Sequence, residues 1–194
     1  MPVLRNLNVT IPKDEVLRLH GYPSGRRPRP IIEQAITRQV AVALELILPA
    51  AVYDFVNVRR MDTASIELDG GYCLSVGAQA RQWKGAEYLA IAVCTIGPSL
   101  ESEVSRLLAA QDLSSAAFLD AAGSVAVESL AEIVDARLCR RAHQMGMGGG
   151  LRLSPGHGDW ALNDQAQFFR LLRPERISVS LSRSFLMLPL KSVS

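Results

Sequence analysis

Apolar positions Ile32, Ala35, Ile36, Val40, Ala43, Leu44 and Ile47 recur near helical spacing and predict an amphipathic helix over 31–48, which Pro49 ends. Ahead of it, Pro12-Lys13-Asp14-Glu15 sets a proline in a first turn with acids near the helix N-terminus. That short helix runs to His20, and Gly21 stops it. The pattern then changes period. Residues 53–58 alternate in part and are rich in β-formers, which predicts a strand. Residues 65–68 and 72–76 flank Asp69-Gly70-Gly71 and read as a hairpin. A short helix is expected over 78–83. Residues 88–94 form a continuous apolar run, the mark of a central buried strand.

Thr95-Ile96-Gly97 closes that strand, and Pro98 opens a helix through Leu108. Residues 112–145 read as mostly helical, with Ala126, Leu130, Ile133, Val134 and Leu138 on one apolar face. Gly123 marks either close packing between helices or a break. Glu128, Glu132 and Asp135 form a separate acidic stripe, and such stripes ordinarily face water. Asn163-Asp164-Gln165 looks like a helix start before Phe168-Phe169 and Leu171-Leu172. Residues 177–181 alternate as a strand, and 184–188 are expected to continue in extended form toward the candidate site, with Met187 and Leu188 read as core.

Composition narrows the class. With 194 residues and 48% apolar content, the chain can bury a sizeable core as one domain. The expected division is an N-terminal helix and basic linker over 1–30, then an α+β domain over 31–194, together one compact unit. No apolar run reaches the length of a membrane span, and the N-terminus lacks the apolar core of a signal peptide. A net charge of +2 gives no argument for nucleic acid. Cys73, Cys94 and Cys139 are widely spaced with no Cys-x-x-Cys, so reduced thiols in a cytoplasm are the simplest reading. Arg26, Arg27 and Arg29 make the 22–30 connector basic, which suits solvent or an acidic partner.

Candidate chemistry concentrates in Arg152-Leu153-Ser154-Pro155-Gly156-His157-Gly158-Asp159-Trp160, after the Gly148-Gly149-Gly150 run. Pro155 fixes φ, while Gly156 and Gly158 permit backbone angles that other residues avoid. Such a loop can bring its backbone close to a ligand. Arg152 adds a cationic fork suited to a carboxylate or phosphate. Asp159, His157 and Trp160 add an anion, a titratable ring and a flat apolar face. By pattern alone, Gly, Pro and Ser here also describe an ordinary connector. No Gly-x-Gly-x-x-Gly or Walker loop occurs, and His20, His143 and His157 are not spaced as a metal site. Ser154, His157 and Asp159 are too crowded for a catalytic triad.

The loop resembles the S-adenosylmethionine-binding loop of the activation domain of cobalamin-dependent methionine synthase, where an Arg precedes a Pro-Gly-Tyr turn. It is more similar to short stand-alone relatives of that domain. In those, an Arg-x-Ser-Pro-Gly-Tyr-Gly-Asp-like loop precedes a Gln-rich helix start and a late Pro-x-Lys-Ser-x-Ser. The later pieces here are Gln165 and Met187-Leu188-Pro189-Leu190-Lys191-Ser192-Val193-Ser194. A Thr-x-Gly like Thr95-Ile96-Gly97 follows a strand in those relatives too. They usually run on past the position of Ser194, so the expectation is a shortened chain or a missing last strand.

The resemblance implies an α+β fold with a twisted, mostly antiparallel sheet flanked by helices. It also implies S-adenosylmethionine as the ligand and reductive methylation, or reactivation, of the cob(II)alamin form of a corrinoid methyltransferase. Cobalamin would be carried by a partner, a corrinoid-binding protein or methionine synthase core. Flavodoxin or ferredoxin would supply the electron. Arg152 would meet the ligand carboxylate, Glu128 the ammonium, and the backbone of Leu153, Ser154 and Gly156 the adenine edge, with Pro155 shaping the turn. His157 stands where the family usually has Tyr. An imidazole can become charged near neutral pH and would then oppose a sulfonium. Asp14 and Asp54 are the options for the family's N-terminal acidic contact. The alternative is a docking or chaperone module for a corrinoid protein that does not bind S-adenosylmethionine.

Overall fold

The computed structural model describes every residue except Ser24, Arg26 and Arg27, so two arginines of the basic connector lie outside the described residues. Strand β1 spans Val3–Arg5, helix α1 Lys13–Leu19 and helix α2 Pro30–Leu46. The α2 sequence dictates its bounds. Pro30 occupies the first turn, where its missing N–H is no loss, and Ile36, Val40 and Ala43 bury one face. Strand β2, Ala50–Met61, is longer than the alternation of 53–58 suggests. The hairpin strands β3, Ile66–Leu68, and β4, Tyr72–Leu74, follow, joined through Gly70 and Gly71 at φ of 82° and 76°. A 3-10 turn at Gly77–Trp83 leads to strand β5, Tyr88–Thr95.

Helix α3 spans Ser99–Ala109 and helix α4 Leu113–Gln144. The Asp112 side chain caps α4 by accepting the Ser115 N–H at 3.1 Å. Gly123 does not break this helix. A Cβ there would lie 2.7 Å from Leu100 Cδ2, so the glycine lets α3 press against α4. Helix α4 also packs on α1 and α2, as the middle of a helical layer. Helix α5, Gln165–Leu172, is followed by the two-residue strands β6, Ser180–Leu181, β7, Met187–Leu188, and β8, Ser192–Val193.

Strand β2 organises the main sheet, whose order is β4-β3-β2-β5-β8 with β1 also on β2. One flank of β2 pairs with β5 from Ala50↔Thr95 to Asn57↔Tyr88. Its other flank takes β1 at one end, Val3↔Val52, and β3 at the other, Val58↔Leu68, with a register shift after Val58. Every pairing is antiparallel. The sheet and its flanking helices therefore have the α+β architecture expected from the sequence.

Alternation along β2 and β5 divides the interior into two cores. Ala51 and Cys94 face α2 and α4, whereas Val52, Leu89, Ile91 and Val93 pack with Trp160 and α5. No helix of the described residues is long and apolar enough to cross a membrane.

Two late expectations are corrected. The alternating residues 177–181 are not one strand. Pro174–Ile177 is a 3-10 turn bounded by Arg173 and Ser178 in left-handed backbone, φ 52° and 60°, and only Ser180–Leu181 pairs. Over 184–188, the Ser182 carbonyl accepts Phe185 N–H and its hydroxyl accepts Leu186 N–H, which makes a turn and leaves only β7 to pair. Met187 is core as expected, but Leu188 is 45% exposed.

The α3–α4 contact yields the first prediction. Gly123→Val should cost about 1–3 kcal/mol by overpacking Leu100. Urea unfolding monitored by circular dichroism checks it, and an unchanged midpoint would mean that the two helices are not in close contact at this position.

Candidate functional site

Strand β5 carries large residues on one face and small ones on the other. Leu89, Ile91 and Val93 fill the core beneath α5, while Ala90 and Ala92 face α4 and remain partly open. Opposite them on α4 stand Ala131, Val134 and Leu138. Alanines on the sheet leave room beside the helix, and a cavity of about 610 Å³ opens there, its wall also taking in Leu74, Leu89, Ile91, Trp160 and Phe168 from the core beneath α5. Ligand pockets ordinarily fall between about 300 and 1,000 Å³. One side is closed by the Trp83–Glu87 turn and another by the segment from Gly146 to Leu153, with Cys94, Val193 and Ser194 also in the wall.

The glycine run earns its place by close approach. A Cβ on Gly149 would lie 3.3 Å from Cys139 Sγ on α4, so the segment hugs the helix as it crosses the cavity. The Trp83 indole N–H donates to the Leu151 carbonyl at 3.0 Å and ties this segment to the opposite wall. Arg152 follows at once. Its guanidinium is ion-paired with the Glu128 carboxylate on α4, and it also lines the cavity. The pair bridges loop and helix; with both side chains substantially exposed, it adds little stability by itself.

Residues 154–160 form a tight loop. Gly156 N–H donates to Trp160 O at 2.7 Å, His157 N–H to Ser154 O at 3.1 Å, and Trp160 N–H to His157 O at 3.1 Å. Gly156 and Gly158 take φ of 98° and 59°, the backbone freedom that the sequence supplies there. Trp160 is 2% exposed, so its indole is a core anchor that also meets the cavity wall. It meets Trp83 edge-on at 5.7 Å, and its indole N–H donates to Asp164 at 2.8 Å. Asp164 also accepts the Ser75 N–H at 2.5 Å, which ties the loop to the end of β4. Asp159 accepts the Ala78 N–H at 2.9 Å, and Gly77, at φ 57°, leaves room for that carboxylate.

The residues singled out by the sequence thus divide. Arg152, Leu153 and Trp160 line the cavity, and Glu128 is joined to it through Arg152. Ser154 donates its hydroxyl to the Ser194 carbonyl, Pro155 is buried, and Gly156 and His157 lie exposed on the loop's outer turn; none of these four is in the cavity wall. Asp14 is exposed on α1, and Asp54 pairs with the N-terminal amine at 3.4 Å beside a second cavity of about 270 Å³.

The C-terminal motif is structural as well as site-forming. Lys191 holds Asp120 and the Ser124 hydroxyl on α4, both at 2.8 Å, and Ser192 bonds to the Thr95 hydroxyl at 2.9 Å. These contacts seat β8 beside β5 and bring Val193 and Ser194 to the cavity.

Pattern reading missed Ala90, Ala92, Trp83 and Asp135 as cavity residues. The alternation of bulk in Leu89-Ala90-Ile91-Ala92-Val93 was the available signal, hidden because every residue in it is apolar. Cys94, which also faces the cavity, is not a nucleophile. Burial pushes its thiol up to about 12, with Arg152 drawing it slightly down, so the neutral form persists at physiological pH.

No protein-family model matches the chain, and no curated protein matches it in sequence. Among solved structures, a crystal structure of the MetH reactivation domain bound to AdoHcy aligns with a TM-score of 0.72 and 15% identity, covering 100% of this chain and 77% of that one. The likeness is one of fold. It extends the architecture expected from the sequence resemblance over the whole chain.

Loop docking gives a pH prediction. The backbone N–H of Ala78, followed by that of Asp159 itself, holds the Asp159 carboxyl below the usual carboxylate range. A depressed folded-state value contributes stability above the unfolded value of about 3.9, and that contribution is lost as pH falls through the lower folded value. Acid should therefore loosen the loop below about pH 4. Asp159→Asn should remove that component from an acid titration of loop amide exchange, and an identical titration in the variant would refute the assignment.

Proposed function

We propose that this cavity binds S-adenosylmethionine, and that the protein supports reactivation of a corrinoid methyltransferase whose cobalamin sits in a partner chain. The observation that carries the reading is the Arg152-rimmed cavity of about 610 Å³, on the fold of a MetH reactivation domain crystallised with AdoHcy. The residues present fit such a ligand. Apolar walls from Ala90, Ala92 and Leu138 suit an adenosyl group, with Trp83 and Tyr88 as aromatic neighbours. Arg152 and Glu128, already adjacent, offer opposite charges to a zwitterionic amino-acid end. Loop and C-terminal motifs together ally the chain with the short stand-alone relatives of the activation domain.

Bound S-adenosylmethionine supplies a methyl cation which, with one electron from a low-potential donor such as flavodoxin or ferredoxin, converts cob(II)alamin to methylcob(III)alamin and leaves S-adenosylhomocysteine. The chain's own residues bind and orient. Arg152 fixes the carboxylate end, the Gly146–Leu153 segment covers one side, and the small residues of β5 keep the floor open. The buried neutral Cys94 thiol adds no competing nucleophile to the cavity. Methyl transfer needs the donor carbon at about 3–3.5 Å from its acceptor, so the corrinoid partner must cover the open side. Among the groups of this chain, none need carry a proton for that transfer.

Isothermal titration tests the binding. Arg152→Ala should weaken S-adenosylmethionine by roughly one to two decades, the loss of a charge-assisted hydrogen bond, nearer the lower figure because the side chain is 39% exposed. Equal binding by the variant would place the site elsewhere. A second substitution works through volume instead of charge. Ala90→Phe puts a good strand former into the cavity, and it should abolish most binding while leaving the thermal midpoint within a few degrees. The partner reaction is followed by the visible spectrum of methylcobalamin with each component omitted in turn. Formation at the same rate without this protein would reject the reactivation role.

A further inference from the structure

The cavity touches every residue of β5 from Tyr88 to Ala92, although neighbouring residues of a strand point to opposite faces. A space lying against one face alone would meet only every second residue, so this one also runs along an edge of the strand. The edge is the one away from β2. Val58 N–H donates to the Glu87 carbonyl at 2.8 Å, so Glu87 turns its backbone groups towards β2. The β2–β5 register is unbroken, and Leu89, Ile91 and Val93 therefore do the same. Tyr88, Ala90 and Ala92 turn their backbone groups the other way. On that side β8 pairs only with Cys94 and Thr95. Among the described residues no strand covers β5 from Tyr88 to Ala92 there, a bare length of about 14 Å. An unpaired edge of this kind is a template for another strand.

We propose that this edge takes up an extended segment of a partner protein, which adds to β5 as an antiparallel strand in line with β8. Tyr88, Ala90 and Ala92 each offer one donor and one acceptor, so the main chain of the segment is what they hold. The walls set the chemistry of its side chains. Towards α4 the added strand meets Ala131, Val134 and Leu138, and towards α5 it meets Leu74, Trp160 and Phe168. Both faces are apolar, so the centre of the segment is a continuous apolar run, as in other strands covered on both sides. Its ends meet charge. Towards its C-terminal end α4 carries Arg137, Arg140 and Arg141, and Lys84 lies in the turn before β5; all four are exposed. None has a carboxylate within 4 Å among the described residues. Glu87 and Asp135 in the wall offset only part of this charge, and acidic residues flanking the apolar run answer the rest. A second folded sheet does not fit. The Trp83–Glu87 turn and the Gly146–Leu153 segment wall the edge and are joined by the Trp83–Leu151 hydrogen bond, which leaves width for a single chain. The inference does not depend on S-adenosylmethionine. A segment seated here takes part of the space open to a small ligand, so partner and ligand limit each other's access.

The probe is a fluorescein-labelled peptide, Glu-Glu-Val-Leu-Val-Leu-Val-Glu-Glu, titrated with the full chain and followed by fluorescence anisotropy. Binding is expected, and an anisotropy that the chain leaves unchanged would overturn the proposal. Backbone N-methylation then separates main-chain from side-chain recognition. An added strand needs one free edge, so a peptide methylated only at its valines, or only at its leucines, blocks one edge and leaves the other. At least one of these two should bind within about twofold of the parent peptide, and a peptide methylated at both sets should bind at least about tenfold more weakly. Full binding by the doubly methylated peptide would show that side chains alone are recognised, and loss of binding by all three would show that no free edge suffices; either overturns the proposal. Ala90→Pro removes an N–H from the bare edge and none from the pairing with β2. The variant should fold, as judged by a circular dichroism melt, and bind the parent peptide about tenfold more weakly. Unchanged binding by the folded variant would place the peptide elsewhere. Should it fail to fold, the methylated peptides decide the matter on the parent chain. A parent chain that sediments as a dimer which the peptide dissociates would assign the edge to a second copy and overturn the partner reading. Peptide binding by a chain that does not bind S-adenosylmethionine would reject the proposed function and leave this inference standing.

Discussion

A β-strand shows each face only at every second residue, and β5 uses that constraint to serve two purposes at once. Its large residues complete the core beneath α5. Its alanines, on the other face, withhold the contacts that would draw α4 onto the sheet. A sheet that carried leucine on both faces would close against α4 and leave no space. The pairing with β2 makes this division firm, because a shift of one residue would exchange the two faces. The cavity, the position of α4 and the course of the glycine segment all follow from that register.

The charges in the wall are arranged on this apolar frame. Arg152 leaves the glycine segment where it can meet α4, and Glu128 is the carboxylate that it meets. One helix thereby contributes three acids with different surroundings: one paired, one in water and one in the cavity wall. Helical spacing aligns them, but only the crossing of the loop distinguishes them. The Arg152 loop itself is secured from behind, by Trp160 in the core and Asp159 on the turn after β4. Within it the N–H groups of Gly156, His157 and Trp160 are spent on internal bonds.

The sequence revealed what depends on near neighbours. Helices α1, α2 and α5 were legible from caps and spacing, and the β3–β4 hairpin from Gly70-Gly71. Strands β1 and β8 were not, because each is defined by a partner far along the chain, Val3 by Val52 and Val193 by Cys94. Alternation misled at 177–181, where Pro174 starts a 3-10 turn and Ser178 leaves the extended region. In the site, the motif located Arg152 and Leu153 because their chemistry is local. It could not find Ala90 or Asp135, whose importance comes from the gap between β5 and α4. Trp160 shows the converse: a residue striking in sequence, placed in the loop by the demands of the core.

The order of assembly is set by the late strand. Sheet, hairpin and helical layer can all form from residues before 145, since β2, β5 and α4 lie within that stretch. Strand β8 must reach β5 across the whole length of the intervening chain, and Lys191 holds it there through Asp120 and Ser124. Long-range pairings of this kind form slowly, because a large loop must close before any contact rewards it. A nascent chain therefore passes through a stage in which the framework stands but the cavity lacks the wall contributed by Val193 and Ser194. The cavity is completed later in the life of each molecule than its bulk fold is.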